Sequence, residues 1–388
     1  MTNQDQKQLF DIPDNITYLN TAAQSPSTRL VSEAGILGIH QKSQPHTIVG
    51  TDYFEPVSQL RKLFAEVIDC DNFERIATIP SVSYGLANVA NNITLREGDE
   101  ILVVEDQFPS NVYVWQKLAD RYNAVLRIVK TPESRDNRGR QWNLDILNAI
   151  NKNTALVAIG NIHWSNGIVF DLKAIRQKTK EHETLLIIDG SQSIGALPFS
   201  VKDLEPDAVV CAGYKWLFGP YGCAYSYFGP YFDKGSPIEE NWSNRLNSEN
   251  FAGLTKYESE YKPFANRYMV GESGNFIYVK MQIEALKQVL KWSPEAIQDH
   301  CHIISSEAVK ELEGLGCHIA EMDQRAHHLF GIELPADLDR KVLKTALQER
   351  NIFVSFRGQY IRVSCHVFNT EKDFKALVDC MASVLQTI

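Results

Sequence analysis

The feature that most restricts the fold is a theme that repeats from about residue 75: a short apolar run, then a longer amphipathic segment, then another apolar run. Such runs occupy residues 75–79, 100–104, 125–129, 155–159, 185–188 and 208–211, with 222–228 a further strand candidate. Helical periodicity falls between several of them, at 110–122, 145–150 and 171–180. Strands that are apolar throughout must be covered on both faces, so the alternation predicts an α/β fold with helices flanking a mostly parallel sheet. Polar and glycine residues directly follow many of these strands, where open α/β sheets place their ligands.

A chain of 388 residues exceeds what one core usually supports, which predicts a large domain and a smaller one. The stretch 232–263 is rich in Asn, Glu, Ser and Tyr with weak periodicity, so it is expected as loop and boundary. Helical patterns at 277–290 and 294–312 precede strand candidates at 317–320, 328–333, 353–356 and 360–363. The expected division is therefore a large α/β domain over 21–262, with 1–20 plus 263–388 forming a small α+β domain that closes the site. A net charge of −9 weighs against nucleic acid or an anionic membrane as partner. No export signal and no apolar run of about 18 residues is present, and the seven scattered cysteines lack any CxxC pair. These features predict a cytoplasmic protein without disulfides, zinc or a membrane span.

The chemistry is concentrated in two segments, LLIIDGSQSIGALP and DAVVCAGYKWLFGPYG. They set Asp189 after one strand and Lys215 after the next. A lone Asp there is usually a helix cap and a lone Lys a surface amine. Together, in a glycine-rich setting that lets backbone approach a ligand, they suit pyridoxal 5′-phosphate (PLP): its aldehyde needs a lysine amine, and its pyridinium nitrogen stays protonated beside a carboxylate.

At these residues the chain resembles the class V, fold-type I PLP enzymes, a group containing aminotransferases, cysteine desulfurases, isopenicillin N epimerase and kynureninase. Further motifs follow in family order, from YLNTAAQSP at the N-terminus to RVSCHVFNT near the C-terminus. The resemblance implies Lys215 as the Schiff-base lysine and Asp189 as the pyridinium partner. In SVSYGLANVANNI, small hydroxyl residues open a helix whose N-terminus can hold phosphate, with Ser83 and Tyr84 the candidates and Ser81 a weaker one. The resemblance further implies that Phe108 of EDQFPSN stacks on the pyridine ring. It also implies that Asn166 and Gln192 bond the phenolic oxygen, with Asn166 alternatively meeting the substrate carboxylate. Tyr214, where most relatives have His, has a hydroxyl that could bond phosphate.

Arg362 corresponds to the family's α-carboxylate clamp, for which a guanidinium offers a planar two-point fit. Arg357 is either a second anion contact or a surface ion pair, and His163 reads as structural rather than as a base. YMVGESGNF resembles the segment that reaches a neighbouring protomer's phosphate, which implies a homodimer with shared sites and a role for Ser273 and perhaps Asn275.

The expected activity is PLP-dependent chemistry on a small amino substrate with a carboxylate, transamination foremost, with C–S lysis or epimerisation as alternatives. A catalytically silent PLP-fold binding protein is the reading from another class, opposed by the intact Asp189, Lys215 and Arg362. Desulfurase chemistry through a loop cysteine is disfavoured, because KTALQERNIF contains none where that residue would sit. Cys365, just after Arg362, reads as a buried inert thiol.

Overall fold

The computed structural model describes residues 4–335 and 338–385. Its strands are β1 (Thr17–Tyr18), β2 (Ile76–Ile79), β3 (Glu100–Val104), β4 (Val125–Val129), β5 (Thr154–Gly160), β6 (Leu185–Asp189), β7 (Ala208–Ala212) and β8 (Ala224–Phe228). They are followed by β9 (His318–Ile319), β10 (Leu329–Glu333), β11 (Ile352–Phe353), β12 (Ser355–Arg357) and β13 (Tyr360–Ser364). Seven form one sheet in the order β2-β8-β7-β6-β5-β3-β4. Only β8 runs against its neighbours, pairing antiparallel with both β2 and β7. The expected α/β fold with a mostly parallel sheet is therefore what forms.

Burial explains why these segments were readable. Strands β2, β7 and β8 are buried at every residue, whereas β4, at the sheet edge, exposes Val125 and Ile128. Helices predicted over 110–122 and 171–180 appear as Ser110–Tyr122 and Leu172–Glu181. The third, expected at 145–150, begins earlier and spans Arg138–Ala149. Its first turns, RGRQ, carry no apolar pattern, yet Trp142 is fully buried there and donates to the Val129 carbonyl at 3.4 Å.

Helices Arg29–Ser43 and Glu55–Val67 were not anticipated; both pack along the helix Tyr278–Trp292. The C-terminal strands form an antiparallel sheet, β12-β13-β10-β9, and β1 pairs in parallel with β11. The 232–263 stretch contains only short 3-10 turns, as its weak periodicity implied. No helix among the described residues is long and apolar enough to cross a membrane.

The sheet places the site. After β4 the chain returns to the other side of β3 to make β5, and this reversal opens a crevice at the carboxyl ends of the strands. Helix Val82–Asn91 leaves β2 and lies almost against the sheet, because Gly85 has no side chain. A Cβ at Gly85 would fall 2.4 Å from Ser226 Oγ and 2.7 Å from Ile79 Cδ1. Gly85→Val should therefore destabilise the protein by about 1–3 kcal/mol through overpacking. Thermal melting checks this, and an unchanged midpoint would mean that the helix has room to move away.

Candidate active site

One cavity collects the residues that follow β2, β3, β5, β6 and β7. At its floor is Lys215, three residues past β7 and only 7% exposed. Burial depresses its ammonium to about 8; Asp189 pulls in the opposite direction, while Arg362 and Arg357 reinforce the depression. No carboxylate among the described residues is ion-paired with the Lys215 amine, which lies 5.4 Å from the Phe108 ring centroid. This is the environment of a nucleophilic lysine, largely dehydrated and close to deprotonation at neutral pH.

Asp189 closes β6 and faces the same cavity, with its Oδ1 accepting from the Ser191 backbone at 3.0 Å. Opposite stands the N-terminus of helix Val82–Asn91, capped by Ser81, whose Oγ accepts from the Tyr84 amide at 3.2 Å. Ser81 and Ser83 both line the cavity with their hydroxyls 3.0 Å apart, so Ser81 shares the candidacy for an anion that was given mainly to Ser83.

Tyr84 requires a correction. Its side chain is not part of the cavity lining, and its hydroxyl donates to Glu239 at 2.9 Å. Glu239 also accepts from the Gly271 amide at 2.6 Å, so Tyr84 ties the helix to the segment that carries Ser273. Ser273 itself lines a different hollow, beside Tyr53 and Trp242. This chain does not bring it to its own cavity.

Gln192 lines the cavity, but its carboxamide is partly engaged: the nitrogen donates to Ala22 O at 3.1 Å and the oxygen accepts from Trp216 Nε1 at 3.0 Å. One N–H remains to be given. Tyr214 also faces the cavity, its ring 4.5 Å from that of Tyr221. Asn166 is buried outside the lining, and its Oδ1 accepts from Ile168 N at 3.1 Å. It sits in a turn that needs Gly167 at φ +80°, where a Cβ would lie 2.1 Å from Leu329 O. That side-chain oxygen serves the turn, which leaves the Nδ2 amide as the group that would donate to a ligand oxygen.

His163 lines the cavity wall, bonded to Ser165 Oγ at 3.1 Å and packed against Trp142. Burial lowers it to about 4, so it is neutral at pH 7. Arg362 lies behind the lining, 2% exposed, donating to Trp164 O at 3.1 Å while its Nε has no partner.

Trp164 is the residue that sequence reasoning passed over. It lines the cavity and meets the Phe108 ring edge-on at 5.4 Å. The guanidinium carbons of Arg357 and Arg362 lie 5.7 and 5.9 Å from its ring centroid. Its signal was an aromatic next to SNG at a strand end, in the same segment as Asn166.

These groups suit PLP: a buried amine without an ion pair, a carboxylate on the adjacent strand, an aromatic face, and two hydroxyls at a helix N-terminus for the phosphate.

Comparison with known proteins agrees. The family model Aminotransferase class-V matches residues 17–377. The chain is 26% identical to an uncharacterized aminotransferase, YcbU, of Bacillus subtilis, across 97% of this chain and 96% of that protein. It is 26% identical to a probable cysteine desulfurase of Staphylococcus epidermidis over 82% of this chain and 77% of the relative. Among solved structures, a cysteine desulfurase from Thermococcus onnurineus superposes with a TM-score of 0.84 at 18% identity, covering 99% of this chain and 98% of that one. The cystine C–S lyase C-DES does so with 0.85 at 21%, covering 96% and 98%. With its fold and nearly its whole length accounted for in this way, the chain belongs to the aminotransferase class-V family and is a PLP-dependent enzyme of fold type I.

Proposed function

We propose that this enzyme is an aminotransferase acting on an amino acid through its α-carboxylate. The observation that carries the reading is a proton carrier poised in the cavity: Lys215 is held near 8, whereas His163 is held near 4 and Cys223 is pushed up to about 12, both by burial. Bound PLP supplies an electron sink conjugated to the substrate nitrogen. Lys215 Nζ would carry the cofactor and, once released by the substrate amine, remove the Cα proton and return it one position further along. Asp189 would hold the proton on the ring nitrogen, and Phe108 would cover the ring face with an aromatic surface that can neither give nor take a proton. Ser81, Ser83 and the helix N-terminus would bind the phosphate, the free N–H of Gln192 the phenolic oxygen, and Arg362 the α-carboxylate.

A C–S lyase is the second reading, favoured by the probable cysteine desulfurases among the relatives and by the likeness to C-DES. Desulfurase chemistry through a loop thiolate has no support. KTALQERNIF forms the end of helix Arg340–Glu349 and strand β11, and Cys365 is fully buried. A racemising enzyme would need a second proton carrier on the other face, which Phe108 would not supply by covering it. Incubating the loaded enzyme with amino acids separates the first two readings. Accumulation of a pyridoxamine form, reversed by a 2-oxo acid, is expected; pyruvate and ammonia released from cysteine derivatives, without that form, would replace transamination by elimination.

Three further outcomes follow from the same geometry. Borohydride should fix the cofactor to Lys215, and Lys215→Ala should lose that adduct and at least about 10²–10⁴-fold in turnover. Because the unprotonated amine is what attacks the aldehyde, the rate at which PLP loads onto the apoprotein should climb with pH and level off above about 8. A climb that continued to about 10 would indicate an ordinary solvated lysine. For the homodimer with shared sites, the support is that Ser273 lies away from its own cavity. Light scattering should give twice the chain mass, and a fully loaded monomer would remove Ser273 from the site.

A further inference from the structure

More positive charge stands beside the cavity, against its Trp164 wall, than an α-carboxylate requires. Arg357 and Arg362 stand on adjacent strands of one hairpin: Arg362 faces Ser355 across the ladder, and Arg357 lies two residues beyond Ser355 on the same face. Such diagonal neighbours are about 7–8 Å apart. Both guanidiniums approach the Trp164 ring that lines the cavity.

Neither has a counterion among the described residues. Among the described residues no carboxylate forms an ion pair with either arginine, and the nearby buried acid, Glu333, is already taken by Arg135 at 2.6 Å and Arg138 at 3.3 Å. Arg362 spends one donor on Trp164 O and leaves its buried Nε without a partner. Arg357 spends one on its neighbour's carbonyl, Phe356 O, at 2.9 Å. A guanidinium has five N–H donors, so both retain a free edge. Cations kept unpaired beside a buried lysine repel one another, which is tolerable where a bound anion relieves the repulsion.

One carboxylate satisfies one guanidinium. Resting on the aminotransferase-type reading, in which Arg362 takes the α-carboxylate, we propose that Arg357 takes a second anionic group, so that the substrate is an amino acid whose side chain ends in a carboxylate, sulfinate or sulfonate. The Trp164 ring then forms the wall between the two anion sites, its Nε1 fixed on Asp106 O at 2.6 Å.

The test uses the PLP-loaded enzyme and isosteric pairs: aspartate against asparagine, glutamate against glutamine. Binding is read from the shift of the cofactor absorption on titration, with turnover measured separately. The wild type should bind the better acid at least about 10-fold more tightly than its amide, the scale of a hydrogen bond to a charged group. Arg357→Gln should shrink that ratio toward one, and Arg357→Lys should restore part of it. Arg362→Gln should weaken acid and amide alike.

Equal affinity for acids and amides in the wild type, with clear spectral responses to both, overturns the inference and leaves the broader function standing. So does an acid preference that survives Arg357→Gln. A loaded enzyme whose absorption responds to no amino acid overturns both. The wild-type comparison decides the matter even if a variant fails to fold.

Discussion

The site depends on a cluster of buried positive charge that the protein does not neutralise. Lys215 and Arg362 are 7% and 2% exposed, and neither is ion-paired among the described residues. Removing a cation from water without a partner is expensive, and the chain answers differently at the two positions. At Lys215 the cost shows as a proton held less tightly, at about 8, so that more of the amine is neutral and ready to attack a carbonyl than in an ordinary lysine. At Arg362 the group remains charged over the physiological range, so the unsatisfied guanidinium persists as a standing attraction for an anion. The same unfavourable burial thus suits a nucleophile in one place and the proposed anion site in the other.

Holding such groups in place requires a rigid underlayer. His328, fully buried, donates from Nε2 to the Gln192 carbonyl at 2.8 Å and accepts at Nδ1 from Gln298 at 2.7 Å, a tautomer assigned from its partners. Gln298 is fully used, since it also donates to Ala196 O and accepts from the His327 amide. Trp216 packs edge-on over His328 at 4.4 Å and donates to Gln192. The residue after the lysine and the residue three past the aspartate are therefore joined to one neutral imidazole. Burial lowers that imidazole to about 4, so this support does not change charge near neutrality.

Legibility in the sequence followed what each residue had to satisfy. Strands β3 and β7 were recognisable because burial on both faces leaves a nearly unbroken apolar record. Helix Arg138–Ala149 was only half recognised, since its N-terminal half is polar and held by Trp142 and by tertiary contacts such as Arg138 to Tyr360 Oη. Lys215, Asp189, Phe108 and Gln192 converge because each follows a strand of one sheet, and strand ends are visible in sequence. The direction of the Tyr84 side chain was not legible because successive helix residues turn by about 100°, so Ser83 can face the cavity while the Tyr84 hydroxyl reaches Glu239. Trp164 and Arg357 meet only in three dimensions, across nearly two hundred positions, and neither has a local pattern that announces the other.

The proton inventory narrows the chemistry further than the fold does. Around the cavity, burial makes Cys223 and Tyr214 harder to ionise and leaves His163 neutral, so their charges stay fixed near neutral pH while Lys215 titrates. One mobile proton carrier on one face suits reactions in which a proton leaves Cα and returns nearby on the same side, or in which a side-chain group departs without assistance. It does not suit inversion at Cα, which needs delivery from the opposite face. The two arginines add a geometric condition to this chemical one. Under the proposed two-arginine binding, a substrate anchored at both ends would not rotate freely about its Cα, so the bond presented to Lys215 would be chosen by where the anions are held. On that proposal, selection of substrate and selection of the bond to be broken would be the same event.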